Sequence, residues 1–134
     1  MSAIQKLVEQ ADSHADEGDF EAALDLFEQA LDLVPEPWDE HDEALALLIS
    51  IADMQFLLDD YESARETFQA AVNSFEEAGD ELLVQLRLGQ SLLELGDEAG
   101  AAEWLAAAHK SGGAKAFEVE DPKYLDFLKA RPRA

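Results

Sequence analysis

One short phrase is written three times along the chain. It runs from Gly18-Asp19 through Ala23, Phe27 and Ala30, and returns from Asp59-Asp60 through Ala64, Phe68 and Ala71. A third copy runs from Gly96-Asp97 through Ala101, Leu105 and Ala108. Each copy opens on a turn and then sets a small residue, a bulky apolar residue and an alanine at the same offsets. Such self-similarity signals stacked supersecondary units, because a single unit of this kind cannot bury its apolar face alone. It also directs function towards a binding surface and away from a reaction centre.

Apolar residues recur at helical spacing through most of the chain. Ile4, Leu7, Val8 and Ala11 form one stripe, and Phe20, Ala23, Leu24, Phe27, Ala30, Leu31 and Val34 form the next. Pro35-Glu36-Pro37 ends the second helix, since proline cannot continue it and biases its predecessor away from helix. The spacing predicts a third helix over 44–58, apolar nearly all round and therefore buried between neighbours. A fourth is expected over 61–77, a fifth over 81–95, and a sixth over 98–110 stopped by Ser111-Gly112-Gly113. Asp121-Pro122 reads as the N-cap and first-turn proline of a seventh. The expected fold is all-α, a single domain over residues 1–134. It is an α-solenoid of three helix–turn–helix repeats at about 3–35, 42–78 and 80–111, with a capping helix at about 121–131. Tyr124, Leu125 and Leu128 would cover the third repeat, leaving Lys123, Lys129, Arg131 and Arg133 in water.

Charge narrows the partners. Residues 1–109 carry 27 acids against three bases (Lys6, Arg65, Arg87), a net of −24, and residues 110–134 carry a net of +2. A field of that sign repels phosphate backbones and anionic lipid, so neither nucleic acid nor membrane is an expected partner. A basic protein is. The apolar fraction of 48% is that of a folded chain, and there is no cysteine for disulfide or thiolate chemistry. The chain opens without a basic region followed by an apolar run and holds no stretch near the ~20 apolar residues of a membrane span. A cytoplasmic protein is expected.

The helix–turn–helix pattern resembles tetratricopeptide repeats, whose period is about 34 residues. The intervals here are longer, 41 residues from Gly18 to Asp59 and 37 from Asp59 to Gly96. The first excess fits the connection over residues 35–42, and the second is expected to lengthen the helices meeting near Gly79. Ala11, Ala52 and Gly89 supply the small residue of each first helix; Ala23, Ala64 and Ala101 supply that of each second helix. His14 and Gln55 stand where the family prefers a large apolar side chain. A narrower resemblance rests on Pro35-Glu36-Pro37, on residues 86–90 and on residues 120–129. These look like small bacterial tetratricopeptide proteins associated with secreted polymorphic toxins, which implies an immunity role.

In tetratricopeptide folds the first helix of each pair lines the concave face. The resemblance therefore implies a groove whose first layer is Val8, Asp12 and Asp16. Its second layer is Ile49, Asp53 and Phe56, and its third is Leu86, Gln90, Leu93 and Glu94. Such a surface, apolar with a seam of acids, suits an apolar and basic segment. Taken one at a time, Ile49, Phe56 and Leu86 also read as core residues. The places where relatives hold a chaperone's terminal carboxylate carry Val8, Asp12, Ser50, Leu83 and Arg87. One basic residue cannot form that multi-donor cradle. Trp38 either staples the long connection onto the core or offers an aromatic anchor. Trp104 is expected to pack against the terminal helix.

No catalytic pattern, cofactor or metal is expected. His14 lies on the opposite side of its helix from Asp12 and Asp16, because each residue advances by roughly 100°. No His-Glu-x-x-His pair, nucleophile elbow or phosphate loop is present. The functional expectation is a non-catalytic protein-binding module, foremost an immunity protein that occludes a basic toxin. The alternative is a chaperone or scaffold holding a basic and apolar segment of an exported or assembling protein. Self-association through exposed helix faces is also open.

Overall fold

A computed structural model describes residues 2–131, and Arg133 of the expected basic cap lies outside them. Among the described residues there are seven α-helices and no strand. The chain divides into two compact units, Met1–Ala78 and Gly79–Ala134.

The first unit holds α1 (Ala3–Asp16), α2 (Phe20–Asp32), α3 (Asp42–Leu57) and α4 (Tyr61–Ser74). Helix α1 packs on α2, α2 on α3, and α3 on α4. Helix α1 begins with a capping box: the Ser2 hydroxyl accepts from the Gln5 amide at 3.1 Å, while the Gln5 side chain accepts from the Ser2 amide at 2.9 Å. The opening letters of the repeated phrase are its turn. Gly18 takes φ +80°, and its amide donates to the Ala15 carbonyl while the Asp19 amide donates to that of His14. This is a Schellman closure of α1. Asp19 then caps α2, its carboxylate accepting from the Ala22 amide at 3.2 Å. One helix is closed and the next opened within two residues. Asp59-Asp60 repeats the device between α3 and α4, with Asp60 capping at Ser63.

The core of this unit gathers Ala11, Ala23, Phe27 and Ala30 with Leu45, Leu48, Ile51, Met54 and Phe75. The alanines of the phrase are fully buried, as the close approach of paired helices demands. Helix α3 buries eight residues around most of its circumference, as its pattern predicts. Gln55, in place of a large apolar residue, accepts a hydrogen bond from Thr67 Oγ1 at 2.8 Å and so ties α3 to α4. Trp38 sits in a 3-10 turn of the long connection and lies against Phe75, ring centroids 6.2 Å apart, which is the staple arrangement.

Several boundaries shift by a residue or two, and the end of α4 departs further from the expected pattern. Helix α4 stops at Ser74 rather than running to residue 77, because Phe75 turns to an extended conformation (φ −130°, ψ 117°) and is buried in the core. The residues beyond it form a 3-10 turn, Glu76–Asp80, so the second excess of repeat length lies in a turn and not in longer helices.

The second unit holds α5 (Leu82–Glu94), α6 (Glu98–Gly112) and α7 (Pro122–Ala130), with a 3-10 turn at Ala114–Phe117. Gly96-Asp97 reproduces the closure, with φ +87° at Gly96 and Asp97 capping at the Gly100 amide. Gly89 lets α6 approach: a β-carbon there would stand 2.7 Å from Leu105 Cγ. Gly113, at φ +67°, ends α6. Asp121 caps α7 and Pro122 occupies its first turn. Tyr124 of α7 is buried with Leu86, Leu105, Ala108 and Phe117, and Leu125 and Leu128 pack beside them. Lys123, Lys129 and Arg131 remain exposed, as a solvated cap face requires. Trp104 Cη2 reaches to 3.9 Å from the β-carbon position of Gly79, at the start of the unit.

Candidate partner-binding surface

In the first unit the surface sinks between α1 and α3 into an apolar groove of about 510 Å³. Ile4 and Val8 line one wall from successive turns of α1, and Phe27 and Leu47 stand at its base. The other wall is Ala46 and Ser50, one turn apart on α3; their small side chains leave the volume that larger ones would fill. Glu9 and Glu43 stand at the rim. Neither rim carboxylate has an ion-pair partner among the described residues.

Of the residues that the repeat pattern assigns to the first two layers, Val8 lines this groove. Asp12 and Asp16 follow Val8 at four-residue intervals on α1 and are exposed. Ile49 is half-buried against the core, Asp53 is half-buried, and Phe56 is buried with its ring edge-to-face on Tyr61 at 5.5 Å. The core reading thus describes Phe56. Ile4, Glu43, Ala46 and Ser50 also line the groove; the repeat pattern places Ile4 only in the apolar stripe of α1 and Ser50 only at a carboxylate-clamp position, and Glu43 and Ala46 nowhere. Their signal in the sequence is the small pair Ala46 and Ser50 in a helix otherwise crowded with leucine and isoleucine.

The third layer is occupied by the chain itself. Gln90 is fully buried, and its amide donates to Glu120 at 2.8 Å. Arg87 Nη1 donates to the same carboxylate oxygen at 2.6 Å and to Gln90 Oε1 at 3.0 Å. Glu94 accepts from the Tyr124 hydroxyl at 3.0 Å and pairs with Lys123. Leu86 is buried beside Phe117 and Tyr124, and Leu93 is half-buried in the same cluster. Leu86, Gln90 and Glu94 therefore meet the C-terminal segment where the repeat pattern expects open groove. The physical reason is that α5 carries apolar and hydrogen-bonding groups along its inner stripe, and residues 117–124 supply the groups that satisfy them.

The acids of α2 form a different surface. Burial, and then the charges of Asp25 and Asp32, push the Glu28 carboxyl above its ordinary range. Among the described residues no three His, Asp or Glu side chains converge to hold a metal ion, and no helix is long and apolar enough to cross a membrane.

Comparison with known proteins matches this geometry to one family. Two tetratricopeptide repeat family models match, one over residues 2–77 and one over residues 58–115. No curated protein sequence matches. Among solved structures, PcrH from Pseudomonas aeruginosa superposes with a TM-score of 0.70 at 19% identity, covering 97% of this chain and 93% of PcrH. The Yersinia enterocolitica type III secretion chaperone SycD, in complex with a peptide of the translocator YopD, gives 0.70 at 17% identity, covering 95% of this chain and 90% of SycD. The Sgt2 TPR domain from Aspergillus fumigatus gives 0.71 at 20% identity, covering all of this chain (100%) and 87% of that domain. Likeness at such identities is likeness of fold, and the repeat matches carry the assignment. The chain belongs to the tetratricopeptide repeat family, with the all-α, α-solenoid class of fold that its thrice-repeated phrase predicts.

Proposed function

We propose that this protein is a non-catalytic binding module that holds an apolar and basic segment of another protein, in the manner of a chaperone or scaffold. The observation that carries the proposal is the groove between α1 and α3, apolar within and rimmed by the unpaired carboxylates of Glu9 and Glu43. An apolar residue seated on Ile4, Val8 and Phe27 would bring a neighbouring lysine or arginine to those carboxylates. Asp12 and Asp16 extend the acidic seam along α1, and Asp53 adds a further carboxylate on α3. The peptide-bound SycD structure supports the same direction, because there a similar fold holds a peptide of the translocator YopD.

A synthetic amphipathic peptide of leucine and lysine at helical spacing tests the reading by fluorescence anisotropy. Binding should weaken about tenfold in Ala46→Arg, which fills the groove and adds the wrong charge. Asp12→Lys with Asp16→Lys should both weaken binding and flatten its salt dependence. Unchanged affinity in both variants would move the interface elsewhere.

A second reading, toxin immunity, is favoured by the crowded carboxylates along α2, where Asp25, Glu28 and Asp32 are exposed and the charges of the other two help to raise the Glu28 carboxyl. A folded basic domain could meet that ridge, and steric occlusion would follow. The two readings separate by ligand: a chaperone or scaffold holds a short peptide, whereas an immunity protein needs the intact toxin domain.

A further inference from the structure

A cleft of about 430 Å³ opens between α6 and α7 in the second unit. Its apolar lining is Ala102 and Ala106, successive turns of α6, with Leu125 and Leu128 of α7. His109, Lys129 and Arg131 complete it. The chain holds only nine Lys and Arg against 31 acids, yet two of them line this one cleft beside a histidine. Lys129 has no ion-pair partner among the described residues. Arg131 lies 3.9 Å from the exposed Glu98 and over the ring of Phe127, a partnership that an incoming anion can replace.

A terminal cap has a simpler use for cations, which is to keep its outer face wet. That use requires no concavity beneath them. Here methyl and isobutyl groups form a recess of a size at which small molecules are held, with the charges at its edge. A cationic ligand would be repelled by Lys129 and Arg131, and a bare inorganic anion would leave the recess unfilled. Glu98, 3.9 Å from Arg131, is an acid at the edge of this cleft, and at 67% side-chain exposure its pull on the guanidinium is weakened by solvent.

We propose that the cleft between α6 and α7 binds a small amphipathic carboxylate, its aliphatic tail on Ala102, Ala106, Leu125 and Leu128 and its head on Lys129 and Arg131. The site is built from helices apart from the α1–α3 groove and does not depend on the partner proposed above.

Decanoate is the probe, titrated into the full chain by calorimetry and by amide NMR, with decyltrimethylammonium as a tail one carbon longer with the opposite charge. Saturable binding of one decanoate per chain is expected, with shifts centred on residues 102–109 and 125–131. Decyltrimethylammonium should bind at least about tenfold more weakly, and Lys129→Glu with Arg131→Glu should lower decanoate affinity by a similar factor. Ala106→Phe, whose ring would occupy the recess, should do the same. Equal binding of the two amphiphiles overturns the proposal, as does shift perturbation centred on residues 2–78. So does full affinity in the charge-reversed variant. If that variant fails to fold, the comparison of amphiphiles on the native chain and the Ala106→Phe titration decide the matter.

Discussion

The repeated phrase opens on residues chosen by backbone geometry. At Gly96 the chain sits at φ +87°, where a β-carbon is strained against its own carbonyl, and no atom stands within 4 Å of that position. Gly96→Ala therefore isolates the strain, and a loss of about 1 kcal/mol is expected as a lower urea midpoint at constant slope. Gly89 is a different case: its missing β-carbon is the space into which Leu105 packs, 2.7 Å away at Cγ and 3.0 Å at the backbone nitrogen. A backbone atom cannot swing aside, so Gly89→Ala should cost about 1–3 kcal/mol by the same measurement. Both glycines were legible in the sequence by register alone, one as a turn and one as the small residue of a first helix. Glu28 was not. Its carboxyl is raised by burial first and by Asp25 and Asp32 second, so the folded state holds its proton more tightly than the unfolded one. The sign follows from linkage: as pH rises through the window just above 4.5, Glu28 loses that proton and its contribution to stability falls. Glu28→Gln is expected to raise the melting temperature at pH 7 and to leave it unchanged at pH 3; equal effects at both would contradict the attribution to the ionised carboxylate.

Helices report how far periodicity can be read. Each second helix begins at the residue after its capping aspartate, because the cap is local chemistry and two residues suffice to specify it. The end of α4 was not legible, since nothing in residues 75–77 forbids helix. Phe75 leaves the helix to fill the core beside Trp38, and that is a tertiary choice. The C-terminal segment shows the same limit on a larger scale. The apolar stripe Tyr124, Leu125 and Leu128 announced a cap, but no local signal pairs Glu120 with Arg87 and Gln90 across about thirty residues. That carboxylate, 13% exposed, neutralises a guanidinium of equal exposure. Glu120→Gln keeps the shape and removes the charge, so a loss of roughly 1.5–3 kcal/mol is expected in urea unfolding. Asp126→Asn, an exposed control on α7, should cost nothing measurable. Equal losses in the two variants would mean that the interaction is general charge and not this contact.

For the whole chain, the net charge of −22 makes self-repulsion a standing cost of the compact state. Added sodium chloride screens it, so the melting temperature should rise between low salt and about 1 M, where the screening length falls to about 3 Å. A flat or falling curve would mean that ion pairs such as Arg87–Glu120 outweigh the repulsion. The two tryptophans report separate stretches, Trp38 within residues 2–78 and Trp104 within residues 79–131. Single-tryptophan variants Trp38→Phe and Trp104→Phe are expected to show one coincident urea transition, as a single domain of coupled repeats requires; separated midpoints would divide it. By itself the sequence determined the all-α class, the three hairpins, their turns and the sign of the surface. Each of these rests on residues within one turn or one helix, or on a sum over composition. The tertiary structure alone decided which inner stripe stays open and which is covered. Small side chains at Ala46 and Ser50 leave a groove against α1, whereas α5 is sealed by Glu120, Lys123 and Tyr124. Whether a helix face is a site or a core depends on what the chain brings back to it, and that is set by contacts far apart in sequence.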